Sequence, residues 1–276
     1  MLEILKVIFY GIIEGITEWL PISSTGHLIL VEEILPLQQS EAFMNMFRVV
    51  IQLGAIMAVV VIYFWKLWPF KKSEETGKIS IDKPTFDLWM KILVACVPAA
   101  IIGILFDDMI DNYLMNWQTV SIMLILFGIA FLIIENKTGD DPDRVNRLAQ
   151  ITYRDAVIIG LFQVLASVFP GTSRSGATIL GGIMIGLSRT VATEFTFFLA
   201  VPVMFGASLL KIVGFGLNFT SNEIIVLAVG TIVSFLVSIV AIKFLLAYIK
   251  KNDFKAFGYY RIALGLVVIL FFAFIR

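Results

Sequence analysis

Apolar residues form six runs along this chain that have the length and spacing of membrane-spanning helices. A spanning helix needs roughly 20 mostly apolar residues, and the runs lack the two-residue alternation of a barrel strand. The predicted spans are approximately 44–65, 92–106, 117–134, 192–213, 224–245 and 262–275. Pro98 and Pro202 lie inside two spans, where a proline usually kinks a membrane helix without ending it.

Two further apolar stretches are interrupted by polar residues near their centres. Residues 1–32 are broken around Pro21, and residues 156–187 are broken around Pro170. Irregular backbone at membrane depth is tolerated only where it faces protein or a water-filled cavity. Each stretch therefore predicts two half-length helices that form a re-entrant hairpin.

The two interrupted stretches resemble each other. GIIEGITEWLPISSTG begins at Gly11, and GLFQVLASVFPGTSRSG begins 149 residues later at Gly160. The matched pairs are Glu14 with Gln163, Glu18 with Ser167, Pro21 with Pro170, Ser23 with Thr172 and Ser24 with Ser173, and one inserted residue then aligns Gly26 with Gly176. Three spans follow each hairpin, so the second copy is inverted in the membrane. The sequence predicts an all-α integral membrane protein with six transmembrane helices and two hairpins, arranged as an inverted repeat in which the two breaks face each other.

Loop charge predicts the orientation. Lysine and arginine are concentrated in loops 66–91, 135–155 and 246–261, the last of which ends at Arg261. Segments 107–116 and 214–223 contain neither residue type. Because cytoplasmic loops carry an excess of basic residues, the basic loops are predicted to be cytoplasmic and both termini external. The first hairpin then enters from outside and the second from inside. The whole chain, 1–276, is predicted to be one membrane domain with halves of about 1–140 and 150–276.

Composition narrows the class of protein. The chain is 59% apolar and 15% charged, whereas soluble domains run about 45–50% and about 25%; the mean hydropathy is +0.94. With 21 basic and 21 acidic residues, there is no overall basic field to attract nucleic acid. One cysteine and one histidine exclude an internal disulfide and a zinc cluster.

Glu14 and Glu18 are the first candidates for chemistry. They are four residues apart and share one helix face. A carboxylate inside a bilayer costs several kcal/mol unless it is paired or hydrated. Two carboxylates without a neighbouring base suit a hard divalent cation, Mg²⁺ or Ca²⁺. The alternative is a pair of interfacial acids near the external surface.

The residues after Pro21 are suited to open a helix and to bind an anion. Ser23, Ser24 and Thr25 supply hydroxyls, and Ser and Thr favour helix N-caps. A helix N-terminus offers free N–H groups and the positive end of the helix dipole, which favours phosphate. His27 lies three residues after Ser24, so the pair predicts a nucleophile with its base. A structural role for this single histidine is the alternative.

The second break, PGTSRSG at 170–176, repeats this chemistry with an arginine. The hydroxyl donors are Thr172, Ser173 and Ser175, and Gly176 permits close backbone approach. The fork of Arg174 matches a phosphate in a bidentate manner. An ion pair with Glu14 or Glu18 is the alternative, and a phosphate is able to displace that carboxylate. Together these residues predict a site for a phosphate carried on a lipid.

At these residues the chain resembles the undecaprenyl-diphosphate phosphatase family, also called the bacitracin-resistance protein family. The resemblance rests on EGITEWLPISSTGH at 14–27 and PGTSRSG at 170–176. It implies a bacterial plasma-membrane enzyme with an external site and a divalent-cation requirement. The implied reaction converts undecaprenyl diphosphate to the monophosphate and inorganic phosphate, which recycles the carrier lipid for peptidoglycan synthesis and confers bacitracin resistance.

The resemblance also implies roles for individual residues. The catalytic positions fall on Glu14, Glu18, Ser24, His27 and Arg174, and Glu14 and Glu18 are the expected metal ligands. The resemblance places Ser23, Ser173 and Thr178 nearby. Together with Thr25, Gln163, Thr172, Ser175 and Gly176 from the two interrupted stretches, they are the expected substrate-binding residues. The expected partners are the polyprenyl diphosphate and membrane lipid, with a homodimer left open.

Two mechanisms and one rival function remain open from the sequence. Ser24 attacks the terminal phosphorus with His27 as its base, or His27 activates water directly. The rival is a polyprenyl-phosphate transporter or flippase, because inverted repeats with broken helices also build transporters. A carrier has less need of the Ser24/His27 pair and of paired carboxylates.

Overall fold

The computed structural model describes residues 2–72, 78–138 and 142–275. Its elements are α1 Leu2–Thr17, α2 Ser24–Ile34, α3 Glu41–Ile62, α4 Phe64–Leu67, β1 Phe70–Lys72, β2 Ile79–Ile81, α5 Lys83–Tyr113, α6 Trp117–Thr138, a 3₁₀ turn Leu148–Gln150, α7 Tyr153–Val168, α8 Arg174–Met184, α9 Arg189–Phe215, α10 Ser221–Ile249 and α11 Lys255–Phe274. The only sheet among these residues is the antiparallel β1–β2 hairpin. The all-α class is confirmed.

Six helices of the described residues are long and apolar enough to cross a membrane, as predicted. They are α3, the Lys83–Phe106 part of α5, α6, α9, α10 and α11. The chain is therefore a multi-pass membrane protein. Length and composition identify a full span but do not distinguish a re-entrant pair of half-length helices, so the re-entrant character of α1/α2 and α7/α8 stays a prediction.

Helix α5 departs most from its predicted bounds. The predicted span is 92–106, but the helix runs from Lys83 to Tyr113. Its early start is favoured by Asp82, whose side chain accepts a hydrogen bond from the Thr85 backbone N–H at 3.2 Å. Hydrogen bonds from Lys71 and Thr85 hold the pKa of the half-buried Asp82 carboxyl below its usual value. The predicted loops 66–91 and 107–116 are thus partly helical.

The two halves of the chain are built alike. Helices α1 and α7 each have 16 residues, and α2 and α8 each have 11. Helix α1 packs on α10 while α7 packs on α5, and α3 packs on α9 as α6 does on α11. Since α5 and α10 are the second long helices of their halves, these contacts are the ones a twofold-related repeat produces.

Matched glycines make the two equivalent helix crossings possible. A Cβ on Gly11 would lie 2.8 Å from the carbonyl oxygen of Gly230, and one on Gly160 would lie 2.5 Å from that of Ala95. Both distances are too short for a side chain. The glycines that begin the two similar sequence stretches therefore bring α1 against α10 and α7 against α5.

The main core lies beneath the two breaks. Trp19, in the first break, is fully buried, and its ring meets that of Phe197 edge to face with centroids 5.0 Å apart. Large apolar side chains such as Ile104 and Val240 are instead exposed on the outer faces of α5 and α10. Buried polar groups inside and apolar groups outside are what a bilayer requires.

Candidate active site

Two serines open the second half-helix of each pair in the same unusual conformation. Ser23 has φ 73° and Ser173 has φ 69°, and within the described residues they are the only non-glycine positions with positive φ. Their hydroxyls cap their helices by accepting from the backbone N–H of Gly26 at 3.3 Å and of Gly176 at 3.1 Å. Positive φ in non-glycine residues concentrates at functional sites.

These caps correct the predicted register of the repeat. The sequence matched Ser23 with Thr172 and placed the inserted residue after Ser24, but the equivalent caps are Ser23 and Ser173. The inserted residue therefore lies before the cap, among the proline and glycine of the second break. Ser24 and Arg174 consequently occupy the same place, as the first residue of each half-helix.

These two first residues meet on one carboxylate. The Arg174 Nη2 donates to Glu18 Oε1 at 2.8 Å, and the Ser24 hydroxyl donates to Glu18 Oε2 at 3.2 Å. The ion pair is well shielded, since only 11% of the Arg174 side chain and 6% of the Glu18 side chain are exposed. The alternative predicted for Arg174, an ion pair with Glu18, is thus the state of this structure.

Helices α8 and α9 hold Arg174 from behind. Its Nη1 donates to the Thr196 backbone oxygen at 3.1 Å. The Thr196 hydroxyl donates to that of Thr178 at 2.9 Å, and Thr178 donates to the Arg174 backbone oxygen at 2.9 Å. Thr178, predicted to bind substrate, is buried with its hydroxyl engaged, so this geometry gives it a supporting position.

Glu14 is a fully buried carboxylate. Within the described residues neither of its oxygens has a hydrogen-bond partner, and it lies in electrostatic range of Glu18 and Arg174. A buried charge without a partner is costly, so this carboxylate suits a cation or a proton. The described residues contain no group of three or more metal-ligating side chains. Mg²⁺, however, is often held by one or two carboxylates together with substrate phosphates, and Glu14 with Glu18 fits that pattern.

His27 contacts Tyr260 rather than Ser24. Its Nδ1 lies 2.7 Å from the Ser23 backbone oxygen, and its Nε2 lies 2.7 Å from the Tyr260 hydroxyl oxygen. A carbonyl only accepts, so we assign the proton of the neutral ring to Nδ1, and Tyr260 then donates to Nε2. The rings also stack, with centroids 5.6 Å apart. Because the hydroxyl of Ser24 donates to Glu18, the action of His27 as its base stays a prediction.

The other predicted binding residues are buried or half-buried. Ser175 donates to the Glu18 backbone oxygen at 3.0 Å and lies 3.2 Å from Ser173 between hydroxyl oxygens. Thr25 is half-buried in the first turn of α2. Gln163 and Thr172 are buried, and among the described residues their side-chain polar atoms have no hydrogen-bond partner.

Arg261 is the residue that sequence reasoning misplaced. It was counted with the basic cytoplasmic loop 246–261, but it lies within α11 and is fully buried. Its Nη1 donates to the Pro21 oxygen at 3.2 Å, and its Nη2 donates to the Gly171 and Thr172 oxygens at 2.9 and 2.8 Å. The sequence carries no local signal for this position, because the partners of Arg261 are carbonyls remote in sequence.

A second ion pair, with a buried glutamate and a half-buried arginine, lies away from this centre. Arg189, at the start of α9, makes a bidentate contact with Glu135 of α6, through Nε at 3.1 Å and Nη2 at 2.5 Å. Glu135 also accepts from the Phe254 backbone N–H at 3.1 Å. This pair ties α6, α9 and the start of α11 together and touches neither break.

Comparison with known proteins assigns this chain to a family. The model of the family "Bacitracin resistance protein BacA" matches residues 7–267.

Three relatives named undecaprenyl-diphosphatase match nearly the full length. The protein of Desulfitobacterium hafniense is 58% identical over 273 residues, covering 99% of this chain and 97% of the relative. That of Acetivibrio thermocellus is 59% identical over 276 residues, covering 100% of both. That of Enterococcus faecalis strain V583 is 60% identical over 272 residues, covering 98% and 97%. The chain therefore belongs to the bacitracin resistance protein BacA family.

Proposed function

We propose that this protein is an undecaprenyl-diphosphate phosphatase of the bacterial plasma membrane, which releases inorganic phosphate and recycles the carrier lipid for peptidoglycan synthesis. The observation that carries the proposal is the meeting of Ser24 and Arg174, each the first residue of a half-helix, on the Glu18 carboxylate. A nucleophilic hydroxyl, a phosphate-binding fork and an acid thereby lie together. The names of the full-length relatives support the same activity. Such an enzyme confers bacitracin resistance, because that antibiotic captures the diphosphate lipid.

The membrane arrangement proposed with this function follows from the polar breaks. The pairs α1/α2 and α7/α8 re-enter the membrane from opposite sides, so that the breaks face each other. Both termini and the active site lie on the external side, as loop charge favours. The chain forms a single domain, and a homodimer is compatible with this arrangement.

Substrate binding would begin with an exchange of partners at Arg174. In this structure its guanidinium is paired with the Glu18 carboxylate at 2.8 Å. A diphosphate carries more negative charge than one carboxylate and presents oxygens that match the planar fork. The half-helices starting at Ser24 and Arg174 add N–H groups and favourable dipole ends. Phosphate binding thus releases Glu18 from Arg174.

Glu14 and Glu18 would hold a divalent cation, Mg²⁺ or Ca²⁺, next to the diphosphate. The unpartnered oxygens of the buried Glu14 support this assignment. When bound, the cation supplies neutralisation of charge on the phosphoryl oxygens.

The Ser24 hydroxyl would act as the nucleophile. Its oxygen forms a bond to the terminal phosphorus, the bond from that phosphorus to the bridging oxygen breaks, and undecaprenyl phosphate leaves. The proton of Ser24 passes to Glu18, its present acceptor, or to His27 as the sequence predicts. Water then attacks the phosphorus of the phosphoserine, and a new P–O bond forms as the bond to the Ser24 oxygen breaks. The base takes a proton from the water and returns one to the Ser24 oxygen, and inorganic phosphate leaves. In the alternative route water activated by His27 attacks directly.

Substitutions that neutralise the central pair test the proposal. We expect Glu18→Gln and Arg174→Gln to lower kcat/KM for phosphate release from undecaprenyl diphosphate by at least about 100-fold, the scale of losing one preorganised electrostatic group. Arg189→Gln is the control, because it also breaks an ion pair between an arginine and a buried glutamate, but one that touches neither break. Normal kcat/KM in either central variant would contradict the proposal.

Lipid transport is the second candidate function. The matched packing of the two halves favours it, because transporters with inverted repeats bind their substrates between the copies. A pure transporter would bind polyprenyl diphosphate without releasing phosphate. Transfer of a labelled lipid across vesicles, without hydrolysis, would therefore replace the phosphatase as the leading function.

A further inference from the structure

Arg261 takes no part in the proposed reaction, yet its guanidinium lies between the two breaks. One of its terminal nitrogens donates to the Pro21 carbonyl. The other donates to the carbonyls of Gly171 and Thr172 and, at 3.4 Å, to that of Met123 in α6. The guanidinium also lies 5.8 Å from the Phe127 ring centroid. A single side chain of α11 therefore joins the first half of the molecule to the second.

The carbonyls that Arg261 holds are equivalent in the two copies. Pro21 lies two residues before the cap Ser23, and Gly171 lies two residues before the cap Ser173. Nη1 and Nη2 of the one planar guanidinium thus donate to the equivalent carbonyl in each half of the repeat. Because that carbonyl lies only two residues before the cap, its position constrains where each half-helix begins and where its first residue points.

The contact requires the shape of an arginine. The guanidinium is planar and presents its donors in a rigid fork, whereas the ammonium group of lysine is a point charge on a flexible stem. Arg261 is fully buried and forms no ion pair with the described residues. A buried charge without a counter-charge is expensive, so a side chain needed only to fill the core would be apolar.

We propose that Arg261 is a positioning residue that fixes the spacing of the two half-helix N-termini. It thereby holds Ser24 and Arg174, together with the N–H groups behind them, at the separation that one diphosphate requires. This role rests on the proposed function. The role should affect the rate of the chemical step more than substrate binding, because a displacement of about 1 Å at a reacting centre is able to cost about 100-fold in rate.

Arg261→Gln and Arg261→Lys, compared with Arg189→Gln, test the role in purified full-length protein. Gel filtration and thermal unfolding report folding, and phosphate release from undecaprenyl diphosphate gives kcat and KM. Competition by orthovanadate, a mimic of five-coordinate phosphorus, is measured beside competition by inorganic phosphate. A contact that served stability alone would lower the melting temperature without changing the ratio of these two affinities.

We expect folded Arg261→Gln to lose about 100-fold in kcat with a much smaller change in KM. It should lose vanadate affinity by at least about tenfold more than phosphate affinity, because positioning acts on the transition state. The kcat and the vanadate affinity of Arg261→Lys should lie between those of this variant and the parent. Arg189→Gln should have a lower melting temperature but keep the parent kcat.

The proposal is overturned if folded Arg261→Gln keeps the parent kcat, or if its activity falls only in proportion to its folded fraction. If Arg261→Gln does not fold, Arg261→Lys decides, and a parent-like kcat and vanadate affinity there would overturn the role. Phosphate release by the parent and by Arg189→Gln keeps the proposed function separate from this result.

Discussion

At the scale of single residues, the site is organised around the Glu18 carboxylate. One oxygen pairs with Arg174 and the other accepts from Ser24, so one carboxylate contacts both of the groups proposed to act on the substrate. In the proposed mechanism a diphosphate replaces the carboxylate at Arg174, while Glu18 keeps its contact with the Ser24 hydroxyl. Substrate binding thereby leaves Glu18 without its counter-charge and available to accept the Ser24 proton.

Ser24→Ala separates the covalent route from direct attack by water. If Ser24 is the nucleophile, we expect its removal to lower kcat by about 100-fold or more, the scale expected when a catalytic group is lost. The parent protein, quenched in acid during turnover and digested, should yield a phosphopeptide covering Ser24 by mass spectrometry. Near-normal turnover of Ser24→Ala would instead favour water activated by His27.

Tyr260→Phe tests whether His27 takes part in the reaction. The change removes the hydroxyl that contacts Nε2 and keeps the stacked ring. Losing one hydrogen bond is worth about 0.5–1.5 kcal/mol, which corresponds to roughly a twofold to tenfold fall in kcat if His27 acts in the transition state. Tyr259→Phe, at the exposed neighbouring tyrosine, is the control. Equal kcat in both variants would indicate a structural role for His27.

At the scale of helices, the sequence predicted what periodicity and composition govern. The six spans and the two breaks are apolar runs and their interruptions, so they could be read directly. The register across the breaks could not, because which serine caps a helix depends on the backbone around Gly171. Arg261 was assigned to a loop because charge at the end of an apolar run normally marks a membrane boundary. Its partners are carbonyls remote in sequence, which no local pattern reveals.

The close approach of α7 to α5 predicts that an added methyl group lowers stability at one glycine but not at another. Gly160→Ala places a Cβ 2.5 Å from the Ala95 carbonyl oxygen, so α7 must move away from α5. We expect a loss of about 1–3 kcal/mol of stability, as for other overpacked cores, seen as a lower melting temperature. In Gly103→Ala on α5 no atom lies within 4 Å of the new Cβ, and that variant should keep the parent melting temperature. Equal melting temperatures would contradict the close approach of α7 to α5.

At the scale of the whole molecule, the proposed function depends on the two repeat halves of this chain facing each other in the membrane. Equal lengths of α1 and α7 and of α2 and α8, and matched packing of the long helices, support this arrangement. Function then arises at the place where both copies contribute half-helix ends. The carboxylates Glu14 and Glu18 come from the first copy and Arg174 from the second, so neither half carries the whole site.

Cysteine labelling in intact cells tests the orientation. In a Cys96→Ala background, Leu217→Cys lies in the α9–α10 connection and Lys251→Cys in the α10–α11 connection, and both positions are exposed. Loop charge predicts that a membrane-impermeant maleimide labels Leu217→Cys only, and that Lys251→Cys reacts after the cells are opened. The reverse pattern would place the termini in the cytoplasm.

Phosphate release from undecaprenyl diphosphate by the purified parent protein tests the central claim most directly. The assay is run with Mg²⁺, after EDTA, and after Mg²⁺ or Ca²⁺ is restored, and both lipid products are identified. We predict release of one inorganic phosphate for each undecaprenyl phosphate formed, loss of that activity with EDTA and its recovery with the cation. Monodisperse protein that binds the lipid but releases no phosphate under any of these conditions would contradict the proposed function.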